Sequence, residues 1–130
     1  MEKKLLIVDD EAEILETLEE ALTDKGYAVR TAGSAEEAIP IARSENIQVM
    51  FLDLKLPGIS GLDLCRRLKT DNPVACIFAM TGYTKIFELA ACRECGFDDY
   101  FIKPIKIKQF IKAAEDAFEK ISRWRKKPAV

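Results

Sequence analysis

The sequence predicts an α/β fold in which a parallel five-stranded sheet is covered by helices on both faces. Short runs rich in Val, Ile and Phe recur along the chain, and amphipathic segments of helical length separate them. The strand runs are apolar almost throughout, as expected for a sheet that is buried on both faces. Strands that alternate with helices form right-handed βαβ units, and 130 residues are enough for one compact domain.

Five apolar runs are predicted to be strands because each is short and rich in β-branched or aromatic residues. No internal repeat or linker divides them between two domains. The predicted strands are Lys4–Val8, Ala28–Thr31, Ile47–Leu52, Ala75–Met80 and Asp99–Ile102.

The first two helices are predicted from apolar periodicity and capping residues. Ala12–Lys25 places its apolar residues on one helical face, and Gly26 follows as a helix-ending glycine. Ser34 is an N-cap for the second helix, whose first turn is acidic. Pro40 conflicts with that helix because proline removes a backbone donor and clashes with the preceding turn. We therefore expect a kinked or late-starting second helix.

The remaining helices complete the alternation with the strands. Leu62–Lys69 is the predicted third helix, and Ile86–Cys95 is the fourth, which ends at Gly96. The last helix runs from Lys108 to about Arg123. Its apolar face consists of Phe110, Ile111, Ala114, Phe118 and Ile121.

The composition excludes several functions. The chain has no histidine, which excludes Ser-His-Asp and Cys-His catalysis, histidine zinc sites and the role of histidine-bearing carrier in a phosphate relay. No apolar run approaches about 18 residues, and the first one is too short for a signal peptide, so we expect a cytoplasmic location and no membrane contact. In a reducing cytosol the cysteines are expected to be buried thiols rather than disulfides. They are Cys65, Cys76, Cys92 and Cys95.

Polar side chains follow four of the five predicted strands. The first strand ends in Asp9 and Asp10, the third in Asp53, the fourth in Thr81 and the fifth in Lys103. Each residue alone has an ordinary explanation as a cap or turn residue. Ligands of open parallel sheets, however, bind outside the carboxyl ends of the strands, so the joint placement indicates a site.

The acidic residues at this edge predict a divalent cation. Two carboxylates about 5 Å apart repel by about 3 kcal/mol at an effective dielectric of about 20, so Asp9, Asp10 and Asp53 need a cation to offset their charge. Hard oxygen ligands suit Mg²⁺. A cation, a lysine, a hydroxyl and a nucleophilic carboxylate together suit phosphoryl transfer. The chain has no Gly-rich nucleotide motif, so the phosphoryl group is expected to arrive on another molecule.

In order and spacing, four motifs resemble the receiver domain of two-component response regulators. They are Leu6-Ile7-Val8-Asp9-Asp10-Glu11, Phe51-Leu52-Asp53-Leu54-Lys55-Leu56-Pro57-Gly58, Met80-Thr81-Gly82 and Tyr100-Phe101-Ile102-Lys103-Pro104. The resemblance implies a flavodoxin-like, doubly wound sheet of order 2-1-3-4-5 with five helices. It places the receiver domain at residues 1–123 and leaves residues 124–130 as a basic tail or the start of a linker.

The resemblance also implies a role for each site residue. Asp53 is the phosphoacceptor. Asp10, Asp53 and the backbone carbonyl of Lys55 ligate Mg²⁺ (or Mn²⁺), and Asp9 acts on the ion through water. Lys103 pairs with the phosphoryl oxygens, and the Lys103-Pro104 peptide bond is expected to be cis.

Two further residues are implied as the switch. Thr81 donates its hydroxyl to the phosphoryl group, and Tyr100 rotates inward as Thr81 moves. That rotation alters the surface formed by the fourth helix, fifth strand and fifth helix. Such a protein is a signalling switch that modifies only itself, rather than an enzyme with a released product.

Lys55 and Tyr83 lie two residues after Asp53 and Thr81, at positions where receivers vary. In receivers, side chains at these positions can hinder the water that attacks the acyl phosphate. We hypothesise that these two residues slow loss of the phosphoryl group.

The implied partners are proteins. A sensor histidine kinase or a histidine phosphotransfer protein would donate the phosphoryl group. The output would lie on a downstream protein or on an output domain outside this sequence, and a homodimer through the fourth helix, fifth strand and fifth helix is left open. Residues 102–130 carry a net charge of +6, but no direct contact of this domain with nucleic acid is expected.

Three alternatives remain at this point. Cys92 and Cys95 form a C-x-x-C pattern that also occurs in redox and zinc sites, although it lies near the end of a helix, where the dipole opposes thiolate formation. An aspartyl-phosphate hydrolase of the haloacid dehalogenase type would need a D-x-D pattern that this chain lacks. A receiver-like module that binds partners without phosphorylation is the third alternative.

Overall fold

The computed structural model describes residues 2–82 and 86–125, without the side chains of residues 86–88. Strands and helices alternate throughout. In chain order the elements are β1 (Lys4–Val8), α1 (Ala12–Asp24), β2 (Ala28–Ala32), α2 (Ala35–Ser44), β3 (Val49–Asp53), α3 (Gly61–Asp71), β4 (Cys76–Thr81), α4 (Ile86–Cys95), β5 (Asp99–Ile102) and α5 (Ile107–Arg125).

The strands form one parallel sheet in the order β2-β1-β3-β4-β5. Val8 pairs with Leu52 across β1 and β3, and Thr81 pairs with Ile102 across β4 and β5. The ends of the strands therefore lie side by side. We call the edge at the strand ends the carboxyl edge and the edge at the strand starts the amino edge. The predicted fold class and strand order are confirmed.

Alternate residues of the central strands face two separate cores, as the two-residue period of a strand requires. Leu6 and Leu52 face a core that contains residues of α2, α3 and α4. Leu5 and Phe51 face the other core, together with residues of α1 and α5. Phe51 stacks on Phe78 with a centroid distance of 5.1 Å. Both faces of the sheet are thus covered by helices. A ligand can therefore reach the sheet only at its edges.

The start of α2 is determined by its capping residues and not by Pro40. Ser34 Oγ accepts a hydrogen bond from Glu37 N, and the Glu37 carboxylate accepts one from Gly33 N. This reciprocal cap starts α2 at Ala35, with Pro40 inside the helix. The expected late start is therefore wrong, because capping at Ser34 satisfies the first turn; the kink stays a prediction.

The predicted end of the first helix is confirmed at Gly26. This glycine has a φ of +92°, which favours glycine, and its N–H donates to Thr23 O. In the part of the chain that the structure describes, none of the helices combines the length and the apolar character that crossing a bilayer demands.

Lys69 and Asp98 hold the amino edge together. Lys69 Nζ donates to Ala75 O at 2.6 Å and to Asp98 Oδ2 at 3.0 Å. The same Asp98 oxygen accepts the N–H of Ile77 at 2.7 Å. This network ties α3 to the starts of β4 and β5.

A groove of about 440 Å³ lies beside this network at the amino edge. Its lining includes Val74, Ala75, Ile121 and Trp124. Val74 is 70% exposed and Trp124 is 81% exposed. The far end of α5 therefore presents an aromatic side chain to solvent.

Candidate functional site

Three carboxylates meet at the carboxyl edge of the sheet. Asp9 and Asp10 follow β1, and Asp53 is the last residue of β3, its neighbour in the sheet. One carboxylate oxygen of each lies within 4.8 Å of those of the other two. Asp9 is fully buried and Asp53 is 5% exposed, whereas Asp10 is exposed. The structure thus brings together the acids that the strand-end argument singled out.

Lys103 reaches into this cluster from the end of β5. Its Nζ lies 3.0 Å from Asp9 Oδ2 and 3.3 Å from Asp53 Oδ2. Its backbone N–H donates to Thr81 O at 2.8 Å, so β4 fixes the main chain from which it extends. The Lys103-Pro104 bond is cis, as expected from the resemblance.

The two buried acids differ in how their oxygens are satisfied. Asp53 Oδ1 accepts the N–H of Lys55 at 3.0 Å, and its Oδ2 accepts from Lys103. Asp9 Oδ1 accepts the N–H of Glu11 at 2.9 Å. Asp9 Oδ2 is buried and accepts no well-aligned hydrogen bond from any described residue; its close contact is the ion pair with Lys103. One buried carboxylate oxygen therefore retains unused coordinating capacity.

The electrostatics of the site show that negative charge is in excess. Burial raises the pKa of Asp53, and the nearby Asp9 raises it further, although the Lys55 N–H and Lys103 act in the opposite direction. Burial lowers the pKa of Lys103, but Asp9 and Asp53 outweigh this effect and raise it above its usual value. One lysine thus stays charged without fully compensating the acids.

The donor set fits a hard divalent cation. Three carboxylates within reach of one another and an underused buried oxygen are suited to Mg²⁺ or Mn²⁺, which prefer oxygen ligands. Asp9, Asp10 and Asp53 would hold such an ion, and it would supply charge neutralisation for an incoming anionic group.

The residues named as the switch lie on neighbouring strands. Thr81 ends β4 and is 2% exposed. Tyr100 lies in β5 and is 40% exposed in this structure. Lys55 follows the acid cluster and is exposed, whereas Tyr83 lies outside the described residues.

Glu11 was not singled out by the sequence argument. Its Oε1 lies 3.8 Å from Lys103 Nζ, although its side chain is 62% exposed. The only signal for it in the sequence is its place directly after the aspartate pair. Its position gives Lys103 a third acidic neighbour at the mouth of the site.

The cysteines do not form a second site. All four are buried thiols that form no disulfide, as predicted. Among residues 2–82 and 86–125, the acid cluster is the sole group of three or more ligand atoms suitably placed for a metal. Burial also raises the pKa of Cys95, and that of Cys65 to about 12, which disfavours reactive thiolates. These observations support structural thiols over zinc or redox chemistry.

Some known proteins are similar to this chain in sequence. The family model described as "Response regulator receiver domain" matches residues 5–115. The DNA-binding response regulator MtrA of Mycobacterium leprae is 34% identical over 111 residues, which cover 85% of this chain and 49% of the relative. The alkaline phosphatase synthesis transcriptional regulatory protein PhoP of Bacillus subtilis is 36% identical over 104 residues, 80% of this chain and 43% of the relative. The chain spans about half the length of the curated relatives it matches.

Solved structures agree with the sheet order. A CheY-like response regulator receiver domain protein from Methanospirillum hungatei JF-1 superposes with a TM-score of 0.90 at 25% identity, covering 95% of this chain and 98% of that one. A receiver domain protein from Clostridium thermocellum gives a TM-score of 0.87 at 27% identity, covering 94% and 98%.

Proposed function

The chain belongs to the response regulator receiver domain family, and from that premise we propose that it is a phosphorylation-dependent switch whose phosphoacceptor is Asp53. The observation that supports this choice is the position of the Asp53 carboxylate, 3.3 Å from Lys103 Nζ and within 4.8 Å of two further acids at the carboxyl edge. Asp53 Oδ1 accepts the N–H of Lys55, its Oδ2 accepts from Lys103, and its side chain is not fully buried as that of Asp9 is. These contacts orient it for attack.

The proposed reaction transfers one phosphoryl group. An Asp53 carboxylate oxygen attacks the phosphorus of a phosphohistidine on a kinase or phosphotransfer protein. The P–N bond breaks as the new P–O bond forms, and the histidine ring leaves and takes up a proton. The product on this chain is an acyl phosphate.

The remaining residues stabilise charge around that transfer. Asp10, Asp53 and the Lys55 carbonyl would hold Mg²⁺ or Mn²⁺, with Asp9 acting through water, and the ion would supply charge neutralisation for the phosphoryl group. Lys103 supplies a positive charge for the phosphoryl oxygens. Its Nζ already lies 3.3 Å from Asp53 Oδ2, close to the oxygen that the phosphoryl group would join. Thr81 donates its hydroxyl to one of the phosphoryl oxygens. The chain catalyses its own phosphorylation and does not turn over a separate substrate.

The proposed output is a change in the surface formed by α4, β5 and α5. Thr81 and Lys103 are joined through their backbones, so movement of Thr81 is transmitted to the end of β5. Tyr100 and Ile102 of β5 are 40% and 47% exposed, which suits a surface that contacts a protein. The partner is a downstream protein, an output domain following residues 1–123, or a second copy of the chain. Residues 124–130 are the proposed tail or linker, whose first two residues still lie in α5, and a cytoplasmic location stays a prediction.

An intact-mass experiment tests the phosphoacceptor. The protein is incubated with acetyl phosphate and Mg²⁺, and we expect the mass of one phosphoryl group to be added to the wild type and to Asp24→Ala, a control that removes an exposed acid outside the site. Asp53→Ala should remain unmodified. An unmodified wild type would refute the proposal and favour a binding module that works without phosphorylation.

Lys55 and Tyr83 are proposed to slow hydrolysis of the acyl phosphate. We expect Lys55→Asn, Tyr83→Ala to lose its phosphoryl group about tenfold faster than the wild type at equal Mg²⁺, because water then reaches the phosphorus more easily. Loss is followed by intact mass after removal of the donor. An unchanged rate would end this part of the proposal.

A further inference from the structure

Gly61, the first residue of α3, lies directly against the backbone of the acid site. A Cβ atom added there would overlap the carbonyl oxygen of Asp53 and lie 2.8 Å from Leu54 Cα. Both neighbours are main-chain atoms, which cannot move aside as a flexible side chain can. Gly61 is not among the glycines with positive φ. Glycine is therefore needed here for space, not for backbone conformation.

The backbone that Gly61 touches also orients the Asp53 carboxylate. Gly61 N donates to Leu54 O at 3.1 Å, and Leu54 N donates to Met80 O at 3.1 Å. The next residue, Lys55, donates its N–H to Asp53 Oδ1. The start of α3, the end of β3 and the end of β4 are thus joined through Leu54, one residue from the carboxylate.

The other glycines lack this contact. A Cβ at Gly33 would meet only Glu37 Oε2 at 3.7 Å, and one at Gly82 would meet nothing within 4 Å. At Gly58 the nearest atom is the end of the Glu36 side chain. Of the described glycines, Gly61 is the one whose Cβ would collide with main-chain atoms.

We propose that Gly61 is a positioning residue for the site: its missing side chain lets α3 lie against Asp53 and Leu54, which fixes the Lys55 N–H and carbonyl relative to the Asp53 carboxylate. This inference rests on the proposed role of Asp53. Any side chain at position 61 displaces Leu54 and Lys55, which follow β3. Displacement disturbs the carboxylate orientation and the carbonyl that completes the cation site, so both cation binding and phosphoryl transfer suffer.

The test compares Gly61→Ala with two matched controls. Gly33→Ala makes the same substitution where a Cβ fits. Ser60→Ala removes the N-cap of α3, whose Oγ accepts from Asp63 N, and so destabilises the same helix start without adding a Cβ near Asp53. All variants are measured at a temperature where circular dichroism shows them folded. Mg²⁺ affinity is measured by calorimetry, and the phosphorylation rate with acetyl phosphate by intact mass.

We expect Gly61→Ala to weaken Mg²⁺ binding at least about tenfold and to slow phosphorylation at least as much, because a displaced supporting group costs about 10–100-fold in metal affinity. Its Lys55 amide resonance should shift as the hydrogen bond to Asp53 is lost. Both controls should stay within about twofold of the wild type. A folded Gly61→Ala with wild-type Mg²⁺ affinity and rate would overturn the inference, even if its unfolding temperature falls.

A measurement on the wild type covers the case in which Gly61→Ala does not fold. Because the Gly61 N–H closes the loop that holds the cation ligands, saturating Mg²⁺ should slow hydrogen exchange of this amide at least about tenfold and leave the Gly33 amide unchanged. Unchanged exchange at Gly61 would overturn the inference. Failure of wild-type phosphorylation refutes the proposed function instead; normal phosphorylation of both wild type and Gly61→Ala refutes only the role of Gly61.

Discussion

Each edge of the sheet carries a lysine and an aspartate that are distant in sequence, but the two pairs are satisfied to different degrees. At the amino edge, the Asp98 oxygen that contacts Lys69 also accepts the Ile77 N–H, and Lys69 in addition donates to a backbone carbonyl. At the carboxyl edge, Lys103 is shared between Asp9 and Asp53, and a buried Asp9 oxygen accepts no aligned hydrogen bond from the described residues.

This difference is the one expected between an ion pair that only stabilises the fold and one that belongs to the proposed site. Buried polar groups normally find partners within the fold, and the buried Ile77 N–H at the amino edge finds its partner in Asp98. The carboxyl edge keeps excess negative charge in a buried place, which costs folding free energy. A site that leaves its charge uncompensated can bind a cation and an anionic group strongly, because they supply what the fold lacks.

The largest expected effect comes from breaking the satisfied pair. Asp98→Ala removes two charge-assisted hydrogen bonds and leaves the buried Ile77 N–H unpaired, so we expect a loss of about 2–4 kcal/mol in the free energy of unfolding. Urea unfolding monitored by circular dichroism measures it. Asp71→Ala, which removes an exposed ion pair with Arg43, serves as control and should cost less than about 1 kcal/mol. Equal losses would mean that the amino-edge network contributes no more to the free energy of unfolding than an exposed ion pair does.

Cation binding at the carboxyl edge is expected to raise the free energy of unfolding, and this gain should depend on the acids of that edge alone. Mg²⁺ at ten times its dissociation constant should raise the free energy of unfolding of the wild type by about 1.4 kcal/mol, since the ion binds the folded chain alone. Asp10→Asn should weaken this effect, whereas Asp71→Asn should retain it. Urea unfolding with and without Mg²⁺, at constant ionic strength, gives the comparison; a gain that persists in Asp10→Asn would contradict the proposed ligand set.

The smallest expected effect is a gain in the free energy of unfolding, opposite in sign to the loss expected for Asp98→Ala. Burial raises the pKa of Asp53 above 3.8, so the stability contributed by its protonated form is present below that pH and is lost as the pH rises through the folded pKa. Asp53→Asn does not ionise. Without divalent cations at pH 7 we expect it to be more stable than the wild type by on the order of 1 kcal/mol, with the difference shrinking toward pH 4.

Unfolding of both proteins across this pH range is the measurement. Asp98→Asn, at the satisfied edge, should show no gain at any pH. A less stable Asp53→Asn at pH 7 would mean that Lys103 compensates Asp53 fully.

Much of the fold was predictable because strands that are buried on both faces appear in the sequence as short, almost wholly apolar runs. The β1 and β5 boundaries match the prediction, and the other strands end one residue later than expected. For the second helix the Ser34 N-cap was predicted correctly, and only the late start considered because of Pro40 was wrong, since the cap formed by Ser34 and Glu37 sets the start of the helix. Capping depends on side-chain geometry that spacing only suggests.

The candidate site was predictable wherever its residues end strands, because parallel strands bring their ends to one edge. Asp9, Asp53 and Lys103 were found in this way. The close contact of Gly61 with Asp53 depends on how α3 packs after a loop, and nothing in the residue types indicates that approach. The Lys69–Asp98 pair likewise joins separate elements, so only the folded chain reveals it.

Trp124 is the only tryptophan of the chain, and it lies at the amino edge with 81% of its surface exposed. Its fluorescence therefore reports on the far end of α5 and is separated by the sheet from the acid cluster. Titration with Mg²⁺ should leave its emission unchanged. A partner or neighbouring domain that covers the groove would shift the emission to shorter wavelength, so the protein carries an intrinsic optical probe for contacts at the edge opposite its proposed switch.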